Sequence, residues 1–303
     1  MQKSEFGREN MPDLHWYPGH MTKAVRQMKE DIKLIDVVIE LVDARIPISS
    51  RNPDIDSLAA GKSRVIILNK ADMADDKATD AWVKYFTEKG LIAVKLNSRS
   101  GNGIKQVKDA IAKAAEAKMA RDRARGILNR PVRAIVGGIP NVGKSTFINS
   151  FAGRAVTKTG NKPGVTKGKQ WIRLNKQVEL LDTPGILWPK FEDKITAEHL
   201  AFIGSIRDEV IEKRELAIKF VGELEENYSG LLAGYYGFDD IDKNGDDISF
   251  AMQIIEAVAE KRALIKKGGE LDTDKASILL LDDFKNGRLG KITLENVGVW
   301  SDG

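Results

Sequence analysis

Three short stretches carry residue types at spacings that can do chemistry. The first is Gly138-Ile139-Pro140-Asn141-Val142-Gly143-Lys144-Ser145, which fits the pattern G-x-x-x-x-G-K-[ST]. Its glycines let the backbone amides of Asn141, Val142, Gly143 and, one turn on, Thr146 face phosphate oxygens at a helix N-terminus. Lys144 would neutralise the β- and γ-phosphates, and the Ser145 hydroxyl would bind Mg²⁺. The second is Asp182-Thr183-Pro184-Gly185, thirty-seven residues after Ser145. Alone it is a common turn. At that spacing, Asp182 is expected to hold Mg²⁺ through water and the Gly185 amide to meet a γ-phosphate. The third is Asn69-Lys70-Ala71-Asp72. A carboxylate at Asp72 can accept from both N1 and N2 of guanine, whereas adenine lacks the N2 amine and presents an acceptor at N1. Asn69 can reach guanine N7 while the Lys70 stem lies along the base. Such a pocket rejects the wrong base because its own polar groups would be left unpaired.

These motifs need elements that hold them. Apolar runs begin at Val37-Val38-Ile39 and continue through Leu41-Val42; others cover 65–68, 91–96 and 132–136, and helical patterns lie near 54–60, 76–89 and 104–125. Continuous apolar strands alternating with helices predict a mainly parallel sheet covered on both faces, an α/β fold. Residues 170–174 and 178–181 read as an antiparallel pair around Asn175-Lys176. A further helix is expected over 21–35. After Pro189 only helical patterns remain, at 196–203, 207–226, 228–235, 248–267, 272–284 and 293–297. The division is therefore a polar extension over 1–15, an α/β domain over 16–189 and an all-α domain over 190–303, with a boundary near 185–195 where Pro184, Gly185 and Pro189 interrupt regular structure.

Together the motifs resemble those of the translation-factor-like GTPases, but most of those place the phosphate loop first. Here the order is N-K-A-D, then Asn97-Ser98-Arg99, the phosphate loop, Pro163-Gly164-Val165-Thr166 and D-T-P-G. That order is similar to the circularly permuted ribosome-assembly GTPases. The likeness extends from Trp16-Tyr17-Pro18-Gly19-His20-Met21 through Asp43-Ala44-Arg45-Ile46-Pro47 to the C-terminal helices. The resemblance implies that Asn97, Ser98 and Arg99 bring a backbone amide to the guanine oxygen. It also implies that Thr166 completes the Mg²⁺ shell within a mobile segment at 157–169, and that the helical domain binds RNA.

A glutamine often follows the D-x-x-G glycine and orients the attacking water. Ile186 stands there instead and can neither accept a proton nor hold the water, so intrinsic hydrolysis should be slow. Of the three histidines, His15, His20 and His199, only His20 lies in a segment matching the family, where that histidine is the proposed catalytic group. Its imidazole would orient or polarise the water, the bland alternative being a helix cap or an rRNA contact. Asn141 either helps to coordinate a monovalent cation, K⁺, at the phosphates or bonds its own backbone.

The chain has 303 residues, no cysteine and a formal net charge of +4. Disulfides and thiolate metal sites are excluded, and a reducing, cytoplasmic setting fits. No apolar run is long enough to span a membrane, and the N-terminus lacks a signal-peptide or transit-peptide pattern. Residues 1–189 carry 33 Lys and Arg against 20 Asp and Glu, and residues 190–303 carry 15 against 24. The basic part suits nucleotide and RNA. Local basic clusters occur at Lys118, Arg121, Arg123 and Arg125, at Lys261, Arg262, Lys266 and Lys267, and at Lys285, Arg288 and Lys291. Asp240-Ile241-Asp242-Lys243-Asn244-Gly245 begins like a calcium loop, but its twelfth position is Ala251 rather than a glutamate. The resemblance implies a Mg²⁺-dependent GTP hydrolase that assists assembly of the large (50S) ribosomal subunit. It would bind rRNA or the pre-ribosome with GTP and leave on hydrolysis to GDP. Neither membrane nor DNA is an expected partner. Asp72 argues against an ATPase, while Ile186 leaves open a GTP sensor with little turnover.

Overall fold

The computed structural model describes residues 30–300, apart from 54, 128–129, 157–169, 176, 183–192, 207–211, 240, 242 and 244–245, and apart from the side chains of Leu58, Gln170 and Asp182. His20, Thr166, Gly185, the 1–15 extension, most of the expected 21–35 helix, the 157–169 segment, most of the 185–195 boundary and most of the calcium-like loop lie outside the described residues.

Six strands form one sheet: β1 (Val37–Asp43), β2 (Ser63–Asn69), β3 (Ile92–Leu96), β4 (Val132–Gly137), β5 (Gln170–Arg173) and β6 (Val178–Asp182). Their spatial order is β3-β2-β1-β4-β6-β5. Every neighbouring pair is parallel except β5 with β6. β1 lies between β2 and β4 and is buried along its whole length, which is why its sequence is apolar apart from the buried Glu40 and Asp43. Side chains alternate between faces. Val37, Ile39 and Leu41 join Val65 and Ile67 under α3 (Ile104–Ala124) and α4 (Lys144–Ala152). Val42, Ile66 and Leu68 pack on the opposite face against Trp82 and Phe86 of α2 (Asp76–Glu88). A single turn, α1 (Ile55–Leu58), covers Val38 beside Ile135 and Leu181.

From Asp193 onward the described elements are helices: α5 (Lys194–Phe202), α6 (Lys213–Asn227), α7 (Leu231–Tyr236), α8 (Asp247–Lys261), α9 (Thr273–Lys285) and α10 (Val297–Trp300). Aspartates start several of them. The Asp193 side chain accepts from the Ile195 and Thr196 amides, Asp246 from Ser249 and Asp272 from Lys275. Phe202, Phe220 and Phe284 pack ring to ring across α5, α6 and α9, and their core is continuous with that of the sheet.

Two expected helices differ. The 248–267 pattern ends at Lys261 because Ala263 takes a positive φ, and Ile265 then bridges Leu271 around a Gly268-Gly269 turn. Of the expected 293–297 helix, residues 293–296 are not helical. Their backbone bonds run across to other elements, from the Thr293 amide to the Tyr228 hydroxyl and from the Leu294 amide to the Arg45 carbonyl. The helical turn of α10 starts only at Val297.

Candidate functional site

The phosphate loop joins β4 to α4. Gly143, with a φ of 100°, is the residue before the helix, and no side chain caps the first-turn amides. A side chain could not stand at Gly143, because a Cβ there would lie 2.5 Å from the Asn69 amide nitrogen. A helix N-terminus with an adjoining lysine is an arrangement chemically suited to an anion. Val142 is fully buried, whereas Asn141 is exposed with a φ of 61°.

The base-reading motif ends β2, the strand two places from β4, with β1 between them. Asn69 joins the two motifs. Its Nδ2 donates to the Val142 carbonyl at 2.7 Å, and its Oδ1 accepts from the Ser98 hydroxyl at 2.7 Å and the Ser98 amide at 3.1 Å. One buried side chain thus ties the loop after β2, the loop after β3 and the phosphate loop together. The Arg99 and Ser100 amides both turn onto Asn97 Oδ1, which shapes that loop from within. Asp72 is exposed beyond β2.

Lys70 has a φ of 58° and sends its ammonium to Asp43 Oδ2 at 2.9 Å. Burial and the nearby Arg45 and Arg99 cations press its pKa below the ordinary lysine value against the pull of Asp43. Asp43 is itself fully buried and accepts from Arg45 Nε at 2.9 Å and Nη2 at 2.8 Å. Burial alone would raise the Asp43 pKa. The two cations and their hydrogen bonds outweigh it and hold the carboxyl well below the usual range. The third arm of Arg45 donates to the Phe284 carbonyl at 2.9 Å at the C-terminus of α9, and the guanidinium lies 5.0 Å from the Phe284 ring centre. In the sequence Asp43 and Arg45 stand out only as part of a family likeness. A D-x-R at the end of an apolar strand was the available signal for this pair.

Asn141 donates to the Gly204 carbonyl at 2.6 Å, a partner neither reading of the sequence supplied. Beside it the Ser205 hydroxyl donates to the Pro140 carbonyl at 2.8 Å, so the turn after α5 braces the phosphate loop. Nothing near Gly204 or Ser205 in sequence signals this contact.

His199 is buried between two carboxylates, with Nε2 2.7 Å from Glu223 and Nδ1 2.9 Å from Glu295. Burial favours the neutral ring, but these hydrogen bonds and charges push its pKa up to about 10. The two carboxylates favour the protonated ring. Among the expected basic clusters, Lys291 pairs with Asp76, Arg288 with Asp283, Lys266 with Asp274 and Lys118 with Asp122.

Mg²⁺ favours hard oxygen donors. Ser145 stands in the first turn of α4, and Asp182 ends β6, the parallel neighbour of the strand that leads into the phosphate loop. The two positions lie at the same end of the sheet, and serine and aspartate are both oxygen-donor residue types, which fits the ion. Among the described residues no group of three or more histidines and carboxylates could hold a metal.

Residues 133–228 match the family model described as 50S ribosome-binding GTPase. The chain is 46% identical over 282 residues to ribosome biogenesis GTPase A of Bacillus cereus, covering 93% of each chain. It is 33% identical to the Thermotoga maritima protein of that name, over 93% of this chain and 94% of the other. Two solved structures resemble it in fold. GDP-bound T. maritima YlqF has a TM-score of 0.63 at 28% identity, covering 89% of this chain and 99% of that one. The GNP-bound form has a TM-score of 0.60 at 29% identity, covering 90% and 98%.

Proposed function

The chain belongs to the ribosome biogenesis GTPase A family, and from that premise we propose that it is a Mg²⁺-dependent GTP hydrolase that assists assembly of the large ribosomal subunit. The Asn69 network carries the reading. A GTP site needs base recognition and phosphate binding in one rigid frame, and Asn69 fastens Val142 of one to Ser98 of the other. The base-reading strands precede the phosphate loop in the chain yet share its sheet, which supports a circularly permuted domain with a helical RNA-binding domain after it.

In this reading Asp72 selects guanine, with Asn69 and Lys70 framing the base beside Asn97, Ser98 and Arg99. The amides from Asn141 to Thr146, with Lys144 and Gly185, hold the phosphates. Ser145, Thr166 and Asp182 would hold Mg²⁺, which supplies charge neutralisation at the β- and γ-phosphates. His20 orients the attacking water in place of the glutamine that Ile186 replaces. The Asn141 carbonyl oxygen is the group that would meet K⁺ while its amide holds Gly204. The GTP state binds rRNA of the assembling subunit in the cytoplasm, and hydrolysis releases it.

The test is GTP turnover with and without purified large subunits. Stimulation is expected, and His20→Ala should keep nucleotide binding while losing the stimulated rate. Absence of stimulation would favour a GTP sensor and remove the ribosomal assignment.

A further inference from the structure

The base-reading loop is held from the far end of the chain. Residues 292–295 run buried and without regular secondary structure across the two loops that follow β1 and β2. On one side the Leu294 amide donates to the Arg45 carbonyl at 2.9 Å, and Glu295 accepts the Ile48 and Ser49 amides at 2.6 and 3.1 Å. On the other side the Ile292 amide donates to the Met73 carbonyl at 3.0 Å, and the Asp75 amide donates to the Thr293 hydroxyl at 3.1 Å. Gly287, with a φ of 72°, presses on Met73 so closely that a Cβ there would come within 2.8 Å of Met73 Cγ.

Asp72 sits between these anchors. Lys70 is fixed through Asp43 and Arg45, the Met73 amide closes back on the Lys70 carbonyl, and Met73 and Asp75 are fixed by Ile292 and Thr293. The exposed carboxylate therefore depends for its place on hydrogen bonds made by buried residues of the C-terminal region. Two simultaneous bonds from one carboxylate to a base edge require that the loop be set before the base arrives.

We propose that Thr293 is a specificity-determining positioning residue, and that residues 292–295 form the outer wall of the base-reading site by fixing the Asp72 loop. The inference rests on the guanine-site reading given above. Thr293 touches no nucleotide in it; it acts through the Asp75 amide and the loop behind Asp72.

Inosine diphosphate separates this role from general stability. It lacks the N2 amine, so Asp72 makes one bond to it where GDP takes two. Affinities of the full-length chain for GDP and inosine diphosphate are measured by titration calorimetry for wild type, Thr293→Val and Thr293→Ser. Valine keeps the shape and removes the hydroxyl. Its GDP affinity should fall about fivefold and its inosine diphosphate affinity less than about twofold, in line with one weakened hydrogen bond. Thr293→Ser should keep the wild-type ratio. If wild type prefers GDP and Thr293→Val keeps the same preference, whether both affinities drop or neither does, the proposal is overturned. If wild type does not prefer GDP, the guanine-site reading fails and the inference goes with it.

Discussion

His199 offers a direct measure of how much one buried charge cluster contributes to stability. Its ordinary pKa is 6.5 and its folded value about 10, so the folded state holds the proton more tightly than the unfolded chain. A raised pKa contributes stability that is fully present below pH 6.5 and is lost as pH rises toward 10. Integrating the linkage gives a contribution of roughly 4 kcal/mol at pH 7 and roughly 1 kcal/mol at pH 9. A domain whose whole stability is about 5–15 kcal/mol should show that loss plainly. The perturbation is His199→Gln, which leaves Glu223 and Glu295 facing each other without the cation. It should cost about 3–5 kcal/mol near neutral pH. Urea unfolding of both proteins at pH 6, 7, 8 and 9 tests the argument. Wild type should weaken steadily from pH 7 to 9, and the variant should lack that component. Equal slopes in the two proteins would refute a charged His199 in the native state.

Asp43→Asn leaves Arg45 and Lys70 without their counter-charge, and should cost about 3–5 kcal/mol in denaturant unfolding at pH 7. Because the native carboxyl pKa is depressed, its contribution is present above pH 3.8 and fades as pH falls below it, so the gap between the two proteins should narrow in acid. Asn69→Ala strips the partners from the Ser98 hydroxyl and the Val142 carbonyl; expected are a loss of about 1–3 kcal/mol on unfolding and at least about tenfold weaker GDP in calorimetry. Ser205→Ala removes the bond to the Pro140 carbonyl and should lower stability by about 1 kcal/mol, with weaker triphosphate binding detected by the same titration.

The parts legible in the sequence are those that rest on local pattern. β1 and β2 announce themselves as apolar runs because parallel strands covered on both faces have no solvent side. The phosphate loop is readable because its glycines answer to backbone geometry over eight residues. The 293–296 segment differs for the opposite reason: its short mixed pattern suggests a helix, whereas its bonds go to Tyr228, Arg45 and Asp75, far away in sequence. His199 was separable from His20 by motif alone, but its two carboxylates stand 24 and 96 residues away and carry no sequence signature. The same holds for Gly204 against Asn141, 63 residues apart. Asn69 was expected to face a base; that its amide would also fasten the phosphate loop needed the sheet order to be seen.

The wall formed by residues 292–295 also sets a timetable for biosynthesis. Glu295 accepts the amide of Ile48 across 247 residues of chain. At a synthesis rate of about 5–20 residues per second, roughly 10–50 s separate the two in production. Once residue 137 is made β1 to β4 can pair, yet the Ile48 and Ser49 amides and the Trp82 indole still await acceptors that do not yet exist. The nascent chain therefore carries a sheet with a phosphate loop before it carries a finished base pocket. On the guanine-site reading proposed above, discrimination between nucleotides waits for the C-terminal residues to be made.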